Sequence, residues 1–131
     1  MKTLLLSILF ILFGLGAQAQ RLTNESRSTV GYIENGQVRN SSRSLVGYIE
    51  DSRILNSTRS TIGYMEGDRI LNSSRSTLGY LENGRVMNSS RSTIGYIENG
   101  RVMNSSRTTI GYCENIDVNS AAAWFFFFDF K

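Results

Sequence analysis

The sequence predicts an all-β protein: a closed twelve-stranded antiparallel meander barrel of six 16-residue β-hairpin repeats, with a hydrophobic C-terminal helix as central plug. Three observations support this fold. Each unit holds two β-prone runs separated by a turn signal, and an aromatic tail follows the last unit. A constant short period marks a repeat architecture. That period is set by a Gly-Tyr pair whose glycines are Gly31, Gly47, Gly63, Gly79, Gly95 and Gly111.

The first nineteen residues are predicted to be a signal peptide. Lys2 supplies a positive charge, Leu4 to Leu15 are almost all apolar, and Ala17-Gln18-Ala19 has the small-x-small pattern of a cleavage site. The apolar run is shorter than the roughly 20 residues that a membrane-spanning helix needs. We therefore expect cleavage before Gln20, and a secreted, periplasmic or cell-surface location.

Residues 20–116 are assigned to the barrel, and each repeat has the pattern of two strands joined by a tight turn. In Ser-Thr-Ile-Gly-Tyr-Ile-Glu, β-branched and aromatic residues favour a strand, and the Asn-Gly that follows favours a type I′ hairpin. If Asn83-Gly84 forms that turn, Glu82 faces Arg85 across the ladder. The same pairing of opposite charges recurs as Glu50 with Arg53, Glu66 with Arg69 and Glu98 with Arg101.

The second turn of each repeat is predicted to be a two-residue Ser-Arg turn. It sets Met87 opposite Ile94 and Val86 opposite Gly95, which preserves the same two faces along the meander. The face with the glycines is predicted to be the inside, together with the asparagine, threonine and Val86 columns and the column of Ile33. The face with the six tyrosines, the Met87 column and the Ile94 column is predicted to lie outside.

Closure of the sheet is predicted from its two ends. The chain begins with a strand of the second type at Arg21 and ends its last repeat with a strand of the first type at Glu114, which makes twelve strands. Closure places these two residues side by side without a turn and removes both exposed sheet edges. It also explains why the sixth turn, Asn115-Ile116-Asp117, has lost its glycine and arginine.

The tail, residues 117–131, is predicted to be the plug. Eight strands make a barrel that its own side chains fill, so twelve strands leave a wider lumen. A helix that starts with Ser120 as its cap would fill it. A membrane anchor is the alternative, but the tail is too short to span a bilayer. The predicted plug side chains are Trp124, Phe125, Phe126, Phe127, Phe128 and Phe130.

Tandem units of the form S-T-I-G-Y-I-E-N-G-R-V, with an export signal and an apolar tail, resemble the bacterial β-flower repeat proteins, here in a six-fold version. The resemblance covers Arg21 to Lys131. These squat barrels are similar in architecture to the Tubby C-terminal domain, a twelve-stranded barrel around a hydrophobic helix. The resemblance implies the barrel fold and brings no catalytic residue. Similarity to Tubby implies lipid-headgroup binding by basic residues.

The candidate binding site is a ring of arginines, one from each Ser-Arg turn. Guanidinium groups suit phosphate and carboxylate by charge and by bidentate geometry. The alternative is a set of solvated turn arginines that keep the protein soluble. The opposite rim is acidic, but it lacks the dense oxygen ligands of a calcium loop. The candidate anion-binding residues are Arg27, Arg43, Arg59, Arg75, Arg91 and Arg107.

Other residue types favour no catalytic chemistry. Each repeat carries an Asn-x-Ser/Thr sequon, whose asparagines are predicted to point inward as a hydrogen-bonded ring. Cys113, the single cysteine, is predicted to be a buried thiol that acts as a small hydrophobe. With no histidine, no cysteine-centred dyad and no phosphate loop, the sequence predicts no enzyme, no metal site and no cofactor. The sequon asparagines are Asn24, Asn40, Asn56, Asn72, Asn88 and Asn104.

The chain is therefore predicted to be an exported non-enzymatic binding or scaffold module, with anionic lipid headgroups or acidic glycans as candidate partners. Without Lys2, 13 basic and 11 acidic residues leave a net charge of 13 − 11 = +2, too little to indicate nucleic acid. The outer tyrosine-aliphatic belt predicts membrane contact or oligomerisation. The alternative function is a structural repeat protein that assembles into fibres or a solenoid, because polar repeats without proline suit cross-β assembly.

Overall fold

The computed structural model describes residues 20–130, so the predicted signal peptide lies outside the described residues. Twelve strands form one closed barrel in which each strand pairs with its sequence neighbours and β1 pairs with β12. The predicted fold class is thereby confirmed. The strands are β1 (Arg21–Asn24), β2 (Thr29–Glu34), β3 (Gln37–Asn40), β4 (Leu45–Glu50), β5 (Arg53–Asn56), β6 (Thr61–Glu66), β7 (Arg69–Asn72), β8 (Thr77–Glu82), β9 (Arg85–Asn88), β10 (Thr93–Glu98), β11 (Arg101–Asn104) and β12 (Thr109–Glu114).

A two-residue turn joins each six-residue strand from β2 to β10 to the four-residue strand that follows it; three of these five turns are Asn-Gly, and the other two are Asp51-Ser52 and Gly67-Asp68. Asn83 and Gly84 both have positive φ, 51° and 80°, as a type I′ turn requires. Glu82 then pairs with Arg85, and the register continues along the ladder as predicted. These turns define one end of the barrel, called here the Asn-Gly end.

The seam between β1 and β12 closes the barrel without a covalent turn. Arg21 pairs in register with Glu114, and their side chains form a salt bridge of 3.1 Å. Asn115 follows at the Asn-Gly end, and from there the chain turns into the lumen. The predicted closure is confirmed down to its terminal residue pair.

The return turns differ from the prediction. Between β9 and β10, the backbone N–H of Asn88 donates to the carbonyl of Ser92 (2.9 Å), and that of Arg91 donates to the carbonyl of Asn88 (3.0 Å). The loop between Asn88 and Ser92 therefore has three residues, the last of them Arg91 in the left-handed region (φ 65°). The predicted two-residue Ser-Arg turn is wrong.

A β-bulge follows each return turn and restores the register. Val86 pairs with Gly95 as predicted, but Met87 pairs with Thr93, which leaves Ile94 as the extra residue of the bulge. The predicted pairing of Met87 with Ile94 is therefore wrong. The longer loop and the bulge offset each other, so the rest of the ladder keeps its predicted partners.

The bulge also exchanges two columns of side chains between the faces. Thr61 accepts a hydrogen bond from outward-facing Arg53 at 3.4 Å, so the threonine column lies outside rather than inside. The aliphatic column was predicted outside, but it packs against the inner core. The reason is that one extra residue reverses the in-out alternation before each glycine. Inward-packing members of this column are Val30, Val46, Leu78, Ile94 and Ile110.

A second apolar layer lies on the outer face and is covered there. Leu55, Leu71, Met87 and Met103 face outward by strand alternation, yet each is at most 1% exposed. Their cross-strand neighbours are tyrosines, as with Tyr80 beside Met87. Of the outer tyrosine-aliphatic belt predicted from the sequence, these aliphatic residues are thus buried in the wall, whereas the tyrosines other than Tyr48 are partly exposed.

The tail forms the plug, as predicted, but its cap differs. Helix α1 (Val118–Ala122) runs into a π-helical turn (Ala123–Phe127). Asp117, not Ser120, is the N-cap, because its carboxylate accepts the backbone N–H of Ser120 at 3.1 Å. Residues 121–123 are completely buried in the lumen. Within residues 20–130, no helix is long and apolar enough to cross a membrane.

Candidate functional site

Each return-turn arginine folds back over the outer wall instead of pointing away from the rim. The left-handed backbone of Arg91 turns its side chain onto the preceding repeat. Its guanidinium carbon lies 3.9 Å from the ring centroid of Tyr80, and its Nη1 donates to Glu82 at 3.1 Å. Each repeat thus carries a tyrosine-arginine-glutamate cluster that combines a cation–π contact with an ion pair.

All six return-turn arginines repeat this arrangement. Their guanidinium carbons lie 3.8–4.0 Å from the tyrosine centroids, in the pairs Arg27 with Tyr112, Arg43 with Tyr32, Arg59 with Tyr48, Arg75 with Tyr64, Arg91 with Tyr80 and Arg107 with Tyr96. The carboxylate partners are Glu114, Glu34, Glu50, Glu66, Glu82 and Glu98 in the same order. We call these six residues the paired arginines.

The paired arginines are already neutralised by the protein itself. The hydrogen bonds that Arg59 donates to Glu50 raise the pKa of Arg59 above its ordinary value, with the Glu50 charge as a smaller cause. The same direction and cause apply to three further paired arginines, Arg75, Arg91 and Arg107. An external anion must therefore compete with an internal carboxylate at these positions.

A second set of arginines has no such partner. Arg53, Arg69, Arg85 and Arg101 each begin a short strand, face outward and are exposed. Their predicted salt bridges to the cross-strand glutamates are wrong, because those carboxylates bind the paired arginines instead. Within residues 20–130, no salt bridge involves any of these four side chains. We call them the arginine arc.

The sequence reasoning therefore assigned the two sets the wrong way round. It took the arc as paired and the return-turn set as the open ring. One sequence signal favours the observed arrangement: each glutamate lies two residues after a tyrosine, so both face outward on the same strand. Together they give a returning arginine both an aromatic face and a carboxylate.

The charge of the wall favours arginine. All twelve arginines of the chain lie on the strands or return turns, and the strands and turns between Arg21 and Glu114 carry nine acidic residues: the six strand glutamates, Glu25, Asp51 and Asp68. Glu114 binds both Arg21 and Arg27, and the other five strand glutamates bind one arginine each, so a surplus of 12 − 7 = 5 arginines has no salt bridge within residues 20–130. The surplus is concentrated where Arg53, Arg69, Arg85 and Arg101 follow one another on alternate strands.

The sequon asparagines hold the return turns and do not form an internal ring. The Oδ1 of Asn88 accepts the backbone N–H groups of Ser90 and Ser92, both at 3.0 Å. The other five asparagines make the same two hydrogen bonds within their own turns. The predicted inward ring is wrong, because the three-residue loop leaves two N–H groups that the side chain satisfies.

The plug meets the ring of glycines one aromatic at a time. A Cβ placed on Gly31 would lie 3.3 Å from the Trp124 ring, and the other five glycines approach their partners more closely. At these five positions only glycine leaves room for the ring against the wall. The pairs are Gly31 with Trp124, Gly111 with Phe125, Gly95 with Phe126, Gly79 with Phe127, Gly63 with Phe128 and Gly47 with Phe130.

Cys113 lies on the inner face of β12 and is buried, with 7% of its surface exposed. Burial raises the pKa of its thiol, and the nearby charge of Asp117 raises it further. A protonated, buried thiol is a poor nucleophile. Among the residues that the structure describes, no cluster of three or more acidic, cysteine or histidine side chains could hold a metal ion.

These features define a class of protein: a closed hairpin-repeat barrel with an aromatic plug and an arginine-rich wall. A family model described as "5-fold beta-flower protein" matches residues 19–129, and the chain belongs to this family. No curated protein and no solved structure shows significant similarity to the chain. Because a fold does not specify an activity, function must be argued from the wall itself.

Proposed function

We propose that this protein is an exported, non-enzymatic binding or scaffold module that holds anionic groups against its outer wall. The observation that carries the proposal is that five of the twelve arginines on that wall, Arg39 and the four of the arginine arc, form no salt bridge within residues 20–130. Guanidinium groups bind carboxylate, sulfate and phosphate through paired charge-assisted hydrogen bonds. Anionic lipid headgroups and acidic glycans both present this chemistry outside the cell.

The plug favours binding on the outside of the barrel. Its alanines and aromatic rings occupy the lumen, and no cavity is found in the part of the chain that the structure describes. The rigid, closed wall then serves as a support on which side chains recur at fixed intervals. Such a surface suits a partner that is itself repetitive or extended.

We further propose that the chain is a six-fold member of its family and is similar in architecture to the Tubby C-terminal domain. The six sequence repeats and the twelve strands around a hydrophobic helix support this relation. The fibre alternative is less well supported, because every strand of the closed sheet already has two partners. A sheet without free edges offers no template for cross-β growth.

Binding to anionic surfaces tests the proposal. The purified protein is mixed with phosphatidylglycerol vesicles and with immobilised heparin, using phosphatidylcholine vesicles and an uncharged dextran as controls. We expect binding to at least one anionic surface at low ionic strength. The binding should fall steeply with added salt, because exposed charges are screened within about 10 Å at 0.1 M. A protein that ignores both anionic surfaces at low salt would refute the anion-binding function.

A further inference from the structure

We propose that the arginine arc is the contact site for the anionic partner, and that this partner is a linear acidic polysaccharide that lies across successive hairpins. This inference rests on the proposed anion-binding function and assigns it a site. The site consists of Arg53, Arg69, Arg85 and Arg101, the first residues of β5, β7, β9 and β11. It is not the return-turn ring that the sequence favours.

The arc arginines differ from the paired arginines because no carboxylate of the described residues forms a salt bridge with them. To bind an anion through Arg91, the protein must displace Glu82 and draw the guanidinium away from Tyr80. Arg85 begins β9 on the same wall, is exposed and has no salt bridge in residues 20–130. An anion that meets Arg85 therefore gains hydrogen bonds without breaking internal ones, so the arc is the preferred contact.

Spacing along the arc favours an extended polymer. Successive arc residues are separated by one six-residue strand. Because neighbouring strands lie about 4.7–4.9 Å apart, the backbones of successive arc residues are about 10 Å apart. Acidic polysaccharides carry a carboxylate or sulfate once per sugar or disaccharide, at a comparable interval. Several weak contacts along one chain then add through multivalency.

Shape and aromatic coverage separate a polysaccharide from other polyanions. The arc runs around a convex wall, where a flat bilayer touches only one or two neighbouring hairpins, whereas a flexible chain follows the curve. A single-stranded nucleic acid relies on exposed aromatic rings for base stacking. Here each tyrosine ring lies under a paired arginine, with Tyr96 covered by Arg107 as an example.

The two ends of the arc differ in local charge. The turn before Arg53 contains Asp51, and the turn before Arg69 contains Asp68. The turns before Arg85 and Arg101 are Asn-Gly and carry no acid. Their cross-strand glutamates, Glu82 and Glu98, already bind Arg91 and Arg107. The strongest contact is therefore expected at Arg85 and Arg101.

A matched pair of double variants tests the site. Arg85→Gln with Arg101→Gln removes two arc charges, and Arg27→Gln with Arg43→Gln removes two paired charges whose glutamates, Glu114 and Glu34, do not face an arc residue. Affinity for fluorescein-labelled heparin is measured at low ionic strength. We expect the arc variant to bind about tenfold more weakly or worse, because it loses charge-assisted hydrogen bonds to the ligand. The paired variant should stay close to the parent in affinity.

Thermal melting provides an independent control on the same variants. The arc variant should melt like the parent, because it breaks no salt bridge, whereas the paired variant should melt at a lower temperature. Equal losses of heparin affinity in the two variants would overturn the arc while leaving the anion-binding function in place. No binding of the parent to heparin or to phosphatidylglycerol vesicles would overturn the function itself. Parent protein that binds those vesicles or single-stranded DNA, but not heparin, would overturn the polysaccharide assignment.

Discussion

Gly95 provides the sharpest test of how tightly the plug fits the barrel. An alanine Cβ at this position would lie 2.5 Å from Cε1 and Cζ of Phe126 and 2.6 Å from the carbonyl oxygen of Met103. Both separations are far below van der Waals contact, and one neighbour is backbone. Gly31 offers a matched comparison, since its added Cβ would lie 3.0 Å from the nearest atom and 3.3 Å from Trp124.

Two opposing effects set the expected magnitude. Replacing glycine by alanine reduces the freedom of the unfolded chain, which stabilises the fold by about 0.4–1 kcal/mol where the residue fits. Overpacking a filled core costs about 1–3 kcal/mol, and occasionally more. At Gly95 the second effect dominates, so Gly95→Ala should lower the free energy of unfolding by about 2 kcal/mol. Gly31→Ala should stay within about 1 kcal/mol of the parent.

Urea and thermal denaturation followed by circular dichroism measure the difference. In domains of about 60–100 residues, a loss of 1 kcal/mol lowers Tm by about 4–8 °C. A loss of about 2 kcal/mol in this slightly larger barrel should therefore lower the Tm of Gly95→Ala by about 10 °C. Combining it with Phe126→Leu should recover part of the loss, because the smaller side chain yields room. If Gly95→Ala has the same Tm as the parent, or if Gly31→Ala lowers the free energy of unfolding as much as Gly95→Ala does, the close contact between plug and glycine ring is disproved.

Three further predictions concern the plug, the return turns and the cysteine. Deletion of residues 121–131 should prevent folding, because it removes three completely buried alanines and six partly buried aromatic side chains from the lumen. Loss of a fully buried large aromatic costs about 3–5 kcal/mol, which is an upper bound for each of these rings; a soluble truncation with a cooperative melt would contradict this. Asn88→Ala should cost about 1–2 kcal/mol in urea denaturation by leaving two N–H groups without their acceptor, and Asn88→Asp should cost less. Equal costs would argue against the turn-capping role. Because burial raises the pKa of Cys113, the native thiol should resist maleimide at neutral pH and react in urea. Equal labelling rates in native and unfolded protein would disprove the burial. The free energy of unfolding should also fall as pH rises above roughly 8.5, because the thiol then ionises in the unfolded protein but not in the folded one.

The long hairpins and the closure follow from local residue chemistry. Asn83-Gly84 favours positive φ at two successive residues, and a two-residue turn at the same place in the other repeats that fold back fixes which strands become neighbours. Loss of glycine and arginine after Glu114 marks the one place where the chain does not fold back. Barrel topology, seam and plug could therefore be predicted from the order of residue types alone.

The return turns could not be predicted in the same way. Arg91 occupies a left-handed position that usually goes to glycine or asparagine, so its residue type gives no warning of the third loop residue. The informative residue is Asn88, whose side chain accepts hydrogen bonds from the N–H groups two and four positions later. Because the prediction missed the third loop residue, it assigned the threonine and aliphatic columns before each glycine to the wrong faces of the sheet.

Strand register also could not predict which arginine each glutamate binds. Glu82 has Arg85 as its cross-strand neighbour and Arg91 within reach from the next turn, and each contact is worth only about 1 kcal/mol or less. The ring of Tyr80 tips the balance, since Arg91 gains a cation–π contact by approaching the same carboxylate. Such a choice depends on three side chains in space, and no spacing along the chain reveals it.

Matching one tail aromatic to each glycine has a consequence for how this gene can change. Near-identical repeats are prone to unequal recombination, which adds or removes whole hairpins. A barrel of seven hairpins would contain one glycine with no aromatic ring opposite it. A barrel of five hairpins would leave one aromatic ring without a glycine to pack against. Copy number is therefore tied to the composition of the last eight residues, from Trp124 to Lys131. A change in the number of repeats would therefore require a matching change in this short segment.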